Sequence, residues 1–229
     1  MTETTTQAGH NTNQRSLIIA TAGHVDHGKS SLVNKITGTN TDTLREEKER
    51  GLSINLGYAY YNLPATENDV TSGYVIGFVD VPGHADFINN MLAGVGTVDY
   101  ALLVIAADDG IMPQTREHLS ILDLLGISKG VIALTKTDKC NAQQITEVSG
   151  EITELLSSTC LKKAPIFPVS SLTGEGLDTL LEFLQNTLRE TKSDEALQQN
   201  HNPRFLIDRS FSVKGIGTVV TGSLRSGKL

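Results

Sequence analysis

The run Gly23-His24-Val25-Asp26-His27-Gly28-Lys29-Ser30 constrains this chain more than any other. It follows the apolar residues Leu17, Ile18, Ile19 and Ala20 and leads into Leu32, Val33 and Ile36 at helical spacing, so it joins a strand to a helix. That placement makes the G-x-x-x-x-G-K-[ST] spacing a phosphate-binding loop; a chance glycine-rich turn would lack the flanking elements. The glycines let backbone N–H groups turn inward round an anion, and the following helix aims the positive end of its dipole at the same point. Lys29 is expected at the β- and γ-phosphates of a nucleotide, the Ser30 hydroxyl on Mg²⁺, and Ser31 beside them in the first helical turn.

Of the 229 residues, 38% are hydrophobic and 20% charged, which suits a globular α/β protein with one domain of ordinary size and part of another. No apolar run approaches the ~20 residues of a membrane span, and the polar start lacks the apolar stretch of a leader, so a cytoplasmic chain with no membrane partner is expected. A net charge of −7 offers no global attraction to nucleic acid, and any RNA partner must be held by a local patch or by protein outside this chain. Cys140 and Cys160 lie at no metal-ligand spacing and read as free, passive thiols.

Residues 1–15 are nearly devoid of apolar side chains and read as a flexible tail. Between Gly38 and Gly57 the chain is charged, from Asp42 through Arg50, and it occupies the place of a nucleotide-dependent switch; Ser53 is the hydroxyl expected on the metal there. Tyr58 to Leu63 and Tyr74 to Val79 read as a strand pair, and the second run delivers Asp80-Val81-Pro82-Gly83-His84 at its C-terminal end, where α/β sheets build their sites. Asp80 suits a water-mediated Mg²⁺ contact, the Gly83 N–H the γ-phosphate, and His84 the orienting of an attacking water. Phe87, Ile88, Met91, Leu92 and Val95 fall at helical spacing as core residues.

Tyr100 to Ala107 reads as a strand buried on both faces, and Gln114 to Leu125 as a helix with Leu119, Leu122 and Leu125 on one side. Val131 to Leu134 is a strand ending in Thr135-Lys136-Thr137-Asp138. Asp138 can accept two N–H groups that guanine offers and adenine lacks, while the Lys136 stem packs along the base. Ile145 to Leu156 reads as a helix and Pro165 to Val169 as a strand. Ser170-Ser171-Leu172 then opens a second base-facing loop whose backbone N–H meets the guanine O6, and Leu177 to Leu188 closes the domain as an amphipathic helix. The alternation implies a doubly wound, mostly parallel sheet over 16–190. A polar linker is expected over 191–203; strand-like runs over Phe205 to Val213 and Gly217 to Leu224 open an antiparallel β-barrel over 204–229. Two strands cannot bury a barrel core, so the end reads as a truncation.

With these loops in this order the chain resembles the translation GTPases from Leu17 to Leu229, and most closely the bacterial selenocysteine-specific elongation factors. That likeness is carried by Ser53-Ile54-Asn55-Leu56-Gly57-Tyr58-Ala59-Tyr60, Asn90 to Gly96, Gln114-Thr115-Arg116-Glu117-His118-Leu119, and Ile207-Asp208-Arg209-Ser210-Phe211 with Val213-Lys214-Gly215. The resemblance implies a GTPase whose GTP-bound form carries selenocysteyl-tRNA to the ribosome and releases it on hydrolysis. A selenoprotein mRNA hairpin would be read by a C-terminal region absent here, and a monomer is expected. It makes Ser30 and Ser53 the Mg²⁺ hydroxyls, His84 the water-orienting residue, and Val25 with Leu52 an apolar gate before it. It also implies a monovalent cation at Asp26 and places Asp208 and Arg209 near the selenocysteyl group, where a cation favours an ionised selenol over a serine hydroxyl. The chain departs from the family pattern at Ser53 for Thr, Asn55 for Asp, Thr135 for the Asn of the wider family, and Ser171 for Ala. A factor for ordinary aminoacyl-tRNA, a regulatory switch that handles no RNA, and a decayed copy that binds GTP without working in decoding remain as alternatives to this reading.

Overall fold

The structure, a computed structural model, describes residues 15–41, 53, 55–63, 74–82, 98, 100–190 and 202–226. Six strands form one sheet in the order β2-β3-β1-β4-β5-β6: β1 (Arg15–Ala22), β2 (Gly57–Leu63), β3 (Tyr74–Asp80), β4 (Tyr100–Ala106), β5 (Gly130–Thr135) and β6 (Ile166–Pro168). Every neighbouring pair is parallel except β2 with β3, which are antiparallel and bring Gly57 opposite Asp80. Four helices are described: α1 (Lys29–Thr37), α2 (Pro113–Leu124), α3 (Ala142–Leu156) and α4 (Leu177–Glu190).

The burial of each strand follows its place in this order. All seven residues of β4 are buried, as a central parallel strand requires, whereas β2 alternates, with Tyr58 and Tyr60 exposed between Gly57, Ala59 and Leu63. The two-residue period of β4 divides two cores. Leu102 and Val104 join Leu32 and Val33 of α1 and Leu180 and Leu184 of α4 on one face. Leu103 and Ile105 join Leu119 and Leu122 of α2 and Ile152 and Leu156 of α3 on the other. Helices on both faces of a mostly parallel sheet make the doubly wound architecture expected, and it carries the loops that leave the C-terminal strand ends to one edge of the molecule.

Local differences from the sequence reading have simple causes. Arg15, placed in the tail by composition, is the first residue of β1 and pairs with Tyr74. α3 begins at Ala142, three residues before the first periodic apolar side chain, because Asn141 and Gln144 cap each other's backbone N–H at 2.9 Å in a capping box. α2 ends one residue early, so Leu125 is 41% exposed; Gly126 takes φ 72° and Ile127, whose N–H reaches the Leu122 carbonyl, is buried in its place.

Beyond the sheet domain, β7 (Arg204–Val213) and β8 (Gly217–Ser226) form an antiparallel hairpin whose register skips Asp208, a bulge in β7. Residues 1–14 of the expected tail, 42–52 of the expected switch, the expected helix around Phe87 to Val95 and 191–201 of the expected linker lie outside the described residues. Among the described residues no helix is long and apolar enough to cross a membrane.

Candidate nucleotide site

β1 ends by delivering Gly23 directly beneath β4: φ is 131°, and a Cβ there would stand 2.1 Å from the Val104 carbonyl oxygen, so only glycine fits. The loop then passes through left-handed backbone at Asp26 (φ 63°) and at Gly28 (φ 85°), the residue that caps α1. No side chain caps α1 and no acidic residue sits in its first turn, so its N–H groups and dipole face the loop. The Lys29 ammonium lies inside the same curve, donating to the carbonyls of His24 at 2.7 Å and Gly23 at 3.1 Å.

α2 holds this loop from the far side. Gly23 N–H donates to His118 Nδ1 at 2.9 Å and Val25 N–H to Gln114 Oε1 at 3.1 Å. To accept, His118 must be neutral, and burial, followed by the charges of Lys29 and His24, lowers its pKa to about 4. His27 is buried too, and burial outweighs its contact with the Val104 carbonyl, again giving about 4. The His24 and His27 rings meet edge to face with centroids 5.1 Å apart. The sequence marked His24 and His27 through the loop but gave Gln114 and His118 no task; their four-residue spacing, which puts both on one helical face, was the available signal.

The two hydroxyls expected on Mg²⁺ come together: Ser30 Oγ lies 2.9 Å from Ser53 Oγ. Asp80, 1% exposed, accepts from Thr21 Oγ1 at 2.8 Å on one carboxylate oxygen and from Thr41 Oγ1 at 2.6 Å on the other. Hydroxyl and carboxylate oxygens suit a hard cation that keeps several waters, and Ser30, Ser53 and Asp80 therefore fit Mg²⁺. Among the described residues no three or more His, Cys, Asp and Glu side chains cluster as a metal site of their own.

A cavity of about 590 Å³ opens beside the loop, lined by Asp26, Gly28 and Ser31 on one side and by Thr135, Lys136, Asp138, Ser171 and Leu172 on the other. Thr135 Oγ1 donates to the His27 carbonyl at 2.6 Å, so β5 braces the phosphate loop directly. Lys136 takes left-handed backbone (φ 55°) before the short 3₁₀ turn Thr137–Lys139. Ser170 donates to Asp138 Oδ1 at 2.5 Å and accepts from Thr173 N–H at 3.1 Å, which fixes one oxygen of the Asp138 carboxylate. Lys136 Nζ stands 3.2 Å from Asp109 and 3.4 Å from Asp108, and Lys139 Nζ 3.0 Å from Asp108. Burial opposes the charge of Asp108, but Lys139 and Lys136 outweigh it and hold its carboxyl below the usual range. Asp108, Asp109 and Thr41 carried no motif and were missed in the sequence. Leu52, Gly83 and His84 lie outside the described residues, and Asp208 and Arg209 are placed only as positions on β7.

Cys160 donates its thiol to the Ile127 carbonyl, and burial with Asp123 beside it pushes its pKa up to about 12; burial also raises that of Cys140. Both cysteines are free, and a raised pKa keeps a thiol protonated at neutral pH.

The elongation factor Tu GTP binding domain family model matches residues 14–190. The chain is 49% identical over 213 residues to the selenocysteine-specific elongation factor of Escherichia coli (strain K12), an alignment covering 93% of this chain and 33% of that protein. The crystal structure of a bacterial selenocysteine-specific elongation factor superposes with a TM-score of 0.81 at 38% identity, over 93% of this chain and 35% of the other. Elongation factor SelB from Methanococcus maripaludis, in complex with the GTP analogue GPPNHP, superposes with a TM-score of 0.75 at 30% identity, over 94% of this chain and 42% of the other. The chain thus spans about a third of the length of the curated selenocysteine-specific factors that it matches.

Proposed function

This chain belongs to the elongation factor Tu GTP-binding domain family, and on that premise we propose that it is the GTP-driven portion of a cytoplasmic, monomeric carrier of selenocysteyl-tRNA to the ribosome. The observation that carries the GTP dependence is the 2.9 Å approach of Ser53 to Ser30. One hydroxyl belongs to the phosphate loop and the other to the segment after α1, so a cation bound by both makes the position of that segment depend on the phosphates. The cargo rests on the 49% identity to the selenocysteine-specific factor of Escherichia coli.

In this reading the phosphates of GTP are held by Lys29 and by the loop N–H groups up to Ser31, other than those of Gly23 and Val25, which His118 and Gln114 accept. Asp138, with Ser170 setting its orientation, accepts the guanine N–H groups; Lys136 and Leu172 flank the base, Thr135 braces the loop, and the Ser171 N–H meets O6. Ser30 and Ser53, with Asp80 behind them, would hold Mg²⁺, which when bound would neutralise charge on the phosphate oxygens. His84 orients the attacking water behind the gate of Val25 and Leu52, and Asp26 holds a monovalent cation. Asp208 and Arg209 favour the ionised selenol. A selenoprotein mRNA hairpin is read by protein beyond this chain.

The test is binding of selenocysteyl-tRNA and of seryl-tRNA to the protein in its natural length, loaded with GTP or with GDP. Tighter binding of the selenocysteyl form with GTP alone is the expected result. Equal binding of both tRNAs, or of neither, overturns the proposal.

A further inference from the structure

We infer that Thr41 is a positioning residue for the metal-bound nucleotide: its hydroxyl orients the Asp80 carboxylate and ties both ends of the segment carrying Ser53 to that carboxylate. The inference rests on the Mg²⁺–GTP reading above and adds to it a residue outside every motif of the sequence.

Thr41 follows α1 and the left-handed Gly38, and it is 6% exposed. Its Oγ1 donates to Asp80 Oδ2 at 2.6 Å while Thr21 Oγ1 donates to Oδ1 at 2.8 Å. Thr21 Oγ1 itself accepts from Val81 N–H at 3.0 Å, so its single proton is directed at the carboxylate. A carboxylate turns within a broad, two-fold torsional well. Two donors from different places in the chain, one on β1 and one after α1, pin both of its oxygens and leave further lone pairs for water on a cation. Removing Thr41's proton therefore frees one oxygen without touching the phosphate loop.

The rest of the Thr41 side chain packs on β2. A Cβ built on Gly57 would lie 2.5 Å from Thr41 Cβ, and Gly57 is the residue paired with Asp80 in the β2–β3 register. Thr41, Gly57 and Asp80 are thus in mutual contact. The stretch between Thr41 and Gly57 begins and ends at the same carboxylate, and Ser53 within it reaches Ser30. Asp80, as the partner behind the metal ligands, couples the placement of those ends to the cation.

The experiment follows dissociation of fluorescent GDP and GTP analogues from the wild-type protein, Thr41→Val and Thr41→Ser as free Mg²⁺ is varied, and again in EDTA. Thr41→Val keeps the shape and loses the donor; it should need roughly tenfold more Mg²⁺ or beyond for half-maximal retention, the scale of losing a hydrogen bond to a charged group. Its dissociation rate in EDTA should equal that of the wild type. Thr41→Ser keeps the donor and should stay within about threefold of the wild-type midpoint. A wild-type midpoint for Thr41→Val, an equal change in EDTA, or a serine variant as impaired as the valine one overturns the inference in favour of plain packing. Should Thr41→Val not fold, Thr41→Ala is read on the same axis. Wild-type retention that ignores Mg²⁺ would instead overturn the metal reading itself.

Discussion

Gly23 and the buried histidines set the tolerances of this site residue by residue. In Gly23→Ala the methyl group would meet the Val104 carbonyl at 2.1 Å on a backbone with φ 131°, so the loop must shift. We expect a loss of about 2 kcal/mol or more in urea unfolding together with loss of nucleotide binding. His118 and His27 titrate near 4 when folded and near 6.5 when unfolded, so between those values the unfolded chain binds more protons. Stability is therefore full above pH 6.5 and falls as the pH drops toward 4, by about 2 kcal/mol per histidine at pH 5. Denaturant unfolding at pH 7 and pH 5 measures this, and His118→Gln, which keeps an acceptor for Gly23 N–H without titrating, should remove about half of the loss.

α2 and α3 face the same core with different duties, and paired substitutions separate them. Gln114→Ala leaves the Val25 N–H without its acceptor and should speed nucleotide dissociation several-fold, a loss on the order of 1 kcal/mol. Asn141→Ala removes the capping box of α3 and should cost about 1 kcal/mol of stability while leaving nucleotide dissociation unchanged. These two helices also show why some of the site was legible and some was not. The strand-to-helix loop, the Asp80 turn and the Asp138 loop follow backbone demands that glycine spacing and strand ends display in one dimension. The work of Gln114 and His118 depends on which polar residues of an amphipathic helix meet a loop some ninety positions away in the chain. Periodicity shows that such a helix has a buried face, but not that a buried histidine there is a hydrogen-bond acceptor. Thr135 was visible as the start of the base-facing run and as a departure from the wider family's Asn, and its bond to the His27 carbonyl gives it a structural role there.

At the scale of the whole molecule, both apolar cores among the described residues are drawn from between Leu17 and Leu188, and Ile207, Phe211 and Val220 of the hairpin are exposed. A chain ending after Glu190 should therefore melt within about 2 °C of the longer one, a difference below about 1 kcal/mol, and bind GDP equally well. Differential scanning calorimetry checks the first and fluorescent GDP titration the second; a larger fall would give the hairpin a share in the stability of the sheet domain. The Gly23 N–H, held by the His118 side chain rather than by a backbone carbonyl of a strand or helix, has a consequence on the time axis of hydrogen–deuterium exchange. Most loop amides surrender their protons in seconds, whereas this one should wait for a global opening, like an amide in the middle of β4. Acidification toward the His118 pKa should shorten that wait before the strand amides respond, so the clock of a single loop proton reports the charge of one ring beneath it.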